Sequence, residues 1–389
     1  MDLEKKNSFY YHLFLFFSSF TRGLIEVFSL VLLYQKGYSV HALYFFLFLL
    51  YFVGIFVNIG SLLLPYRFVL IFSTILYGGS FFYLSIMKNT YFSLVLFSIL
   101  FSCSNYSYHS VRHYLACCML NQKHLQTNKL VLMMYLGVIF SSFMGTFFIS
   151  KLPMIYSGII VFLFSLASII PIFLGKIQPE ERKVKITFPK FSKNKILFSI
   201  LEQFKVIFLE IQPLFLYLYV KKSVVYVGMF HVIIHFSSLL VVYFLAKKLK
   251  ESHFLWVSFF LGFIFFLKLN IQNECLLLGI ALLEGIGVKM YEIFSLNNLY
   301  DLGQMNIRDY LLLEEIIFFL TKSIFMAIVC FFHFSISLVL MICIIGVGLY
   351  LSIRTNFLQI RKFPYAIKTT IGRMFKKKEA SDGSITPFQ

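Results

Sequence analysis

The residues of this 389-residue chain that could do chemistry sit inside long apolar runs. Arg22 and Glu26 are four residues apart. On one continuous helix that spacing puts them on one face, about 6 Å apart along the axis. The stretch CSNYSYHSVRHY holds Asn105, Tyr106, Tyr108, His109, Arg112 and His113. Further on come Glu202, Lys205 and Glu210, then Glu284, Lys289 and Glu292, then Lys322. Charge far from water is costly, so each of these implies a partner, a substrate or a proton. A buried carboxylate can hold a proton near neutral pH because desolvation raises its pKa. Glu26, Glu210, Glu284 and Glu292 are therefore the candidates for carrying one. Glu202 and Lys205, at i,i+3, read as a structural pair, and Lys289 and Glu292 share that spacing. His231 and His235 are i,i+4, but no Cys or carboxylate stands near them in their run, so helix packing or cavity lining is the reading. The six Cys have no metal-ligand spacing and read as small buried hydrophobes. No phosphate-binding loop of the G-x-x-x-x-G-K-[ST] form is present, which argues against direct ATP-driven pumping. No metal, cofactor or catalytic residue is expected.

The elements that must position these residues are apolar helices. Hydrophobic residues make up 59% of the chain and charged residues 13%, whereas soluble chains carry about 45–50% and about 25%. Too little polar surface exists to cover 51 Phe and 24 Tyr in water. That excludes a soluble enzyme, a nucleic-acid-binding domain and a disordered chain. A spanning helix needs roughly 20 apolar residues. Twelve runs qualify as candidates: 9–34, 40–64, 67–87, 91–116, 129–150, 153–175, 196–220, 224–246, 252–270, 274–299, 310–333 and 335–353. The runs are continuous, where strands of a membrane barrel would alternate over about 10 residues.

The net charge of +18 then acquires a meaning. With the N-terminus placed in the cytoplasm, 25 of the 35 Lys and Arg fall in inside segments and inner span ends. Only Lys36, Lys88, Lys151, Lys221, Lys222 and Lys268 fall outside. This bias fixes both termini as cytoplasmic, and a bacterial cytoplasmic membrane is the expected location. The expected organisation is a six-helix half over 1–175, a cytoplasmic loop over 176–195, a second six-helix half over 196–353 and a basic tail over 354–389. The basic loops and tail would hold to an anionic inner leaflet. No nucleic-acid partner is expected, because no domain presents the charge.

Ten acidic or basic residues lie within the spans, away from their extreme ends, and nine of them are on the first, fourth, seventh and tenth spans. A three-helix structural repeat explains that phase, with the first helix of each unit facing a polar interior. Nested three-plus-three repeats are the build of one large transporter fold. On this architecture, over residues 1–353, the chain resembles the major facilitator superfamily of secondary transporters. The resemblance implies an all-α membrane protein of twelve spans in two six-helix halves with 3+3 inverted repeats. It also implies a central cavity lined by Arg22, Glu26, Asn105, Tyr108, His109, Arg112, Glu210, Glu284, Lys289 and Glu292. Lys322 joins the same substrate and proton pathway as the tenth in-span charge. The segment Gly60 to Arg67 keeps a Gly and an Arg of that family's loop motif but lacks its Asp and second Gly. The fifth span has Gly137 and Gly145 and no Gly-Pro. Motif thus assigns neither subfamily nor direction.

The function expected is transport of a small molecule by alternating access, with the proton as candidate coupling ion. The rival readings are a flippase for a lipid or lipid-linked glycan, a membrane-embedded transferase, and a transport-inactive partner protein. In-span charges number five positive and five negative, so the sequence leaves the charge of the substrate open.

Overall fold

The computed structural model describes residues 3–24, 26–119, 124–175, 193–244, 254–303 and 307–354. Among these the chain is helical, with no strand. The helices are α1 (Leu3–Gly23), α2 (Ser29–Gln35), α3 (Val40–Leu63), α4 (Tyr66–Ile86), α5 (Tyr91–Met119), α6 (His124–Lys151) and α7 (Met154–Leu174). They continue as α8 (Lys193–Phe215), α9 (Val224–Phe244), α10 (Phe254–Asn270), α11 (Glu274–Gly303), α12 (Ile307–Phe332) and α13 (Ile336–Arg354). The basic tail beyond 354 and most of the 176–195 connection lie outside the described residues.

Among the described residues, eight stretches are long and apolar enough to cross a membrane, with Phe9–Gln35 taken as one span, and Trp256–Asn270 and Ile336–Gly348 are apolar but shorter. The stretches α5 and α11 fall outside both groups. Ser, Asn and Tyr lower the hydropathy of α5, and α11 carries three charges, Glu284, Lys289 and Glu292, within one apolar stretch. Phe52, Phe56, Phe68, Phe72, Phe92 and Phe143 stand on the outer surface of the bundle. Such a surface is a liability in water and suits lipid.

The expected first span is not one helix. It stops at Gly23 and resumes through a 3₁₀ turn, Glu26–Phe28, into α2. The span of α8 also departs from regularity. Pro213 removes a backbone donor, and a π segment follows over Leu216–Val220.

Helices α1 to α7 pack mainly among themselves, and so do α8 to α13. The two groups meet where α3 lies along α12 and α6 lies along α9. Small residues set close approaches, among them that of α1 and α6. A Cβ on Gly137 would stand 2.6 Å from the Phe16 carbonyl oxygen, and one on Gly145 2.5 Å from that of Leu24. Bare backbone is needed there, as at close crossings between membrane helices.

One end of the bundle carries the short turns. There Lys36 Nζ donates to the carbonyls of Ser85 and Met87, and the Tyr38 hydroxyl to those of Lys88 and Thr90. Partial burial holds the Lys36 ammonium below the ordinary lysine pKa and the Tyr38 phenol above the ordinary tyrosine value. At this end the two groups are joined. Gln35 Nε2 donates to the Tyr217 hydroxyl at 3.1 Å, and the rings of His41 and His333 stack at 4.0 Å. The large hydrophobic core runs through both groups. A second, smaller core of Tyr11, Phe14, Leu15, Tyr66, Val69, Leu70, Tyr108, Val111 and Ile172 belongs to the first group alone.

Candidate functional site

The break in the first span governs the chemistry of the first group. Because α1 ends at Gly23, Arg22 and Glu26 do not form the i,i+4 pair that one continuous helix would give. Asn105 of α5 stands between them. Arg22 Nη1 donates to Asn105 Oδ1 at 3.0 Å, and Asn105 Nδ2 donates to Glu26 Oε1 at 3.2 Å. Arg22 Nη2 also donates to the Ser104 carbonyl at 3.1 Å. The guanidinium carbon lies 3.8 Å from the Tyr108 ring centre and 4.5 Å from that of Tyr77. The Tyr77 hydroxyl caps the Arg22 carbonyl at 2.7 Å, one of the acceptors freed where the helix stops. Arg22 is thus buried and saturated, while Glu26 is exposed.

Two further clusters cross between the groups. In one, Glu210 of α8 accepts a hydrogen bond from the Tyr51 hydroxyl of α3 and pairs with Lys322 of α12 at 3.5 Å. In the other, Tyr135 of α6 donates to Glu292 Oε2 at 2.9 Å. Lys289 donates to both, at 3.1 Å to the Tyr135 hydroxyl and 3.1 Å to Glu292. The His235 ring stands edge-on to Tyr135, 6.0 Å between centres. Glu26 and Glu210 lie within electrostatic range of each other, as do Glu315, Lys322 and Arg112, and Lys289 and Arg112. The three clusters therefore form one polar zone where the helix groups meet. Tyr106 closes part of it by packing edge-on against Phe319 of α12, at 4.2 Å.

Of the residues expected in the pathway, Arg22, Glu26, Asn105, Tyr108, Arg112, Glu210, Lys289, Glu292 and Lys322 come together here. His109 is half-buried, with its ring edge-on to that of its chain neighbour Tyr108. Glu284 does not join them. It is fully buried with Lys268 of α10, which donates to its Oε2, and Gln212 Nε2 of α8 is 3.5 Å away. The Lys268 ammonium also faces the rings of Phe230 and Phe208, at 4.8 and 5.5 Å. Reading Lys268 as a span-end anchor on the outer surface misplaces it, because its side chain turns into the bundle. Lys205 and Glu202 pair at 3.5 Å, both buried, with the Lys205 ammonium over the Tyr291 ring.

Sequence reasoning misses Tyr51 and Tyr135, two of 24 tyrosines with no distinguishing spacing. It underrates Glu315, a span-end residue that lies within range of Lys322. Among the described residues, no three His, Cys, Asp or Glu side chains converge as metal ligands would. The arrangement brings carboxylates, basic groups and phenols together between the helix groups.

The fold has a close counterpart among solved structures. The human organic anion transporter MFSD10 (TETRAN), a major facilitator transporter, superposes with a TM-score of 0.61. The match covers 89% of this chain and 100% of that one, at 11% identity. The fold is therefore of the major facilitator type. The sodium:alanine symporter family model matches residues 315–389, about a fifth of the chain. That stretch holds only part of α12, α13 and the tail, so it does not define the architecture. No curated protein matches the chain in sequence.

Proposed function

We propose that the chain is a secondary transporter, not an enzyme, that moves a small molecule across the membrane by alternating access. The observation that carries this is the polar zone between the helix groups, tied across by Tyr51, Glu210 and Lys322 and by Tyr135, Glu292 and Lys289. A zone that bridges two separately packed groups is where rocking would open and close a path. The similarity to a transporter of known fold supports the same reading.

In this reading twelve spans form two halves, over 1–175 and 196–353, each with 3+3 repeats. The two irregular spans, α1–α2 and α8 with its π segment, are the first of each half. The halves are joined at the short-turn end by Gln35 with Tyr217 and by His41 with His333. With both termini cytoplasmic, as the lysine and arginine bias indicates, the molecule faces inward. The 176–195 loop and the 354–389 tail lie against the cytoplasmic leaflet. Glu26, Glu210 and Glu292 are the groups that would take up and release a coupling proton.

The test is a distance. Asn89 and Lys222 are exposed at the short-turn end, one in each half. Spin labels at these positions in reconstituted vesicles are expected to report two populations. A single distance under every pH and substrate condition would overturn alternating access. Proton coupling is tested separately, and uptake indifferent both to a pH gradient and to Glu210→Gln would remove it.

A further inference from the structure

The sequence gives balanced in-span charge, but the fold does not present the two signs equally. Glu210 and Glu292 each have a base behind them, and in both pairs the base is the buried member. The Lys289 side chain keeps 2% of its surface accessible and its partner Glu292 35%. Lys322 keeps 7% and Glu210 33%. Arg22 is buried behind Asn105 while Glu26 is exposed. The bases are also saturated by rings. Arg22 lies between Tyr77 and Tyr108, Lys289 is 4.3 Å from the Tyr135 ring centre, and Lys322 is 4.8 Å from that of Tyr51. Arg112 is the exception, half-buried and 5.6 Å from the Tyr108 ring. A solute entering between the halves would therefore meet carboxylate oxygens and aromatic edges before the lysine ammonium groups, with Arg112 the one basic group left partly accessible among the zone's named residues.

Carboxylates at about a third exposure, beside tyrosines, are the surroundings in which an organic ammonium is held by charge and ring faces together.

Resting on the transporter reading above, we infer that the solute is an organic cation, with Glu26, Glu210 and Glu292 as its counter-charges. Glu26 contributes most to charge recognition. Its carboxylate has no cation within ion-pair distance among the described residues, whereas Glu210 pairs with Lys322 and Glu292 with Lys289.

The test uses two ions of one shape and opposite charge, tetraphenylphosphonium and tetraphenylborate. Benzyltrimethylammonium serves as a smaller cation. Binding to the purified full-length protein is measured by equilibrium dialysis, with folding of each variant checked by size exclusion. At least one cation is expected to bind, and tetraphenylborate is not. Glu26→Gln, which preserves the Asn105 contact, is expected to weaken cation binding about tenfold or more. Glu210→Gln provides a second variant. Tetraphenylborate bound as tightly as the phosphonium, neither cation bound by folded protein, or cation binding unchanged in both variants would each overturn the inference. The spin-label distances need no ligand of known charge. A protein that rocks but binds the anion thus refutes this inference alone, and one that binds the cation but never rocks refutes only the transport reading.

Discussion

Replacing Lys268 with Met should destabilise the protein more than any other single change to an in-span charge. Lys268 and Glu284 are both fully buried, and they link α10 to α11. Glu284 Oε1 has no partner, and Gln212 at 3.5 Å is too distant to replace the ammonium. Removing Lys268 leaves an uncompensated carboxylate in a low-dielectric interior, which costs about 3–5 kcal/mol. At roughly 2 °C per kcal/mol for a chain of this size, the midpoint should fall by roughly 6–10 °C. The double variant Lys268→Met, Glu284→Leu removes both charges and keeps the volume. Substitutions of that kind are neutral or stabilising by about 1–4 kcal/mol, so the double variant should recover most of the loss. The assay is thermal unfolding of the purified protein in detergent, followed by intrinsic fluorescence. A fall of less than about 2 °C in the single variant would refute the reasoning. So would a double variant no more stable than the single one.

Other expectations follow from the same geometry. Tyr51→Phe removes a hydrogen bond to a charged group, worth about 1.5–3 kcal/mol, and should shift the Asn89–Lys222 distance populations about tenfold or more away from the joined state. Gly145→Leu forces a side chain onto the Leu24 carbonyl and should abolish folded yield on size exclusion. Gly279→Ala, where a Cβ meets nothing within 4 Å, should leave that yield unchanged. Asn105→Leu strips both Arg22 and Glu26 of a partner and should lower the thermal midpoint, whereas Asn105→Gln should lower it less. A reporter enzyme inserted within 176–195 should be active only in the cytoplasm.

The helical class was legible because composition and run length leave a membrane chain little else: backbone groups in lipid must be satisfied within the segment. The in-span charges were legible for the same reason, since each stands out against apolar neighbours. The Arg22–Glu26 pairing was not, because i,i+4 geometry presumes an unbroken helix and nothing in FTRGLIEVF announces the turn beyond one glycine. Tyr51 and Tyr135 were invisible among many tyrosines, since what distinguishes them is a partner some 150 residues away. Lys268 misled because its position near a span end suggested water, and only the packing of α10 on α11 turns its side chain inward.

Sequence alone therefore determined which segments are helical and apolar, and which few residues carry charge into them. Those properties are local, set by side-chain transfer energies and helical period. Tertiary structure decided how the charges are shared. It split one span, placed Asn105 between two charges, hid Glu284 with Lys268 and left Glu210 and Glu292 more exposed than the lysines they pair with. Pairing and exposure depend on which helices become neighbours. That is fixed by small-residue contacts and packing between segments far apart in the chain, and no local pattern encodes it.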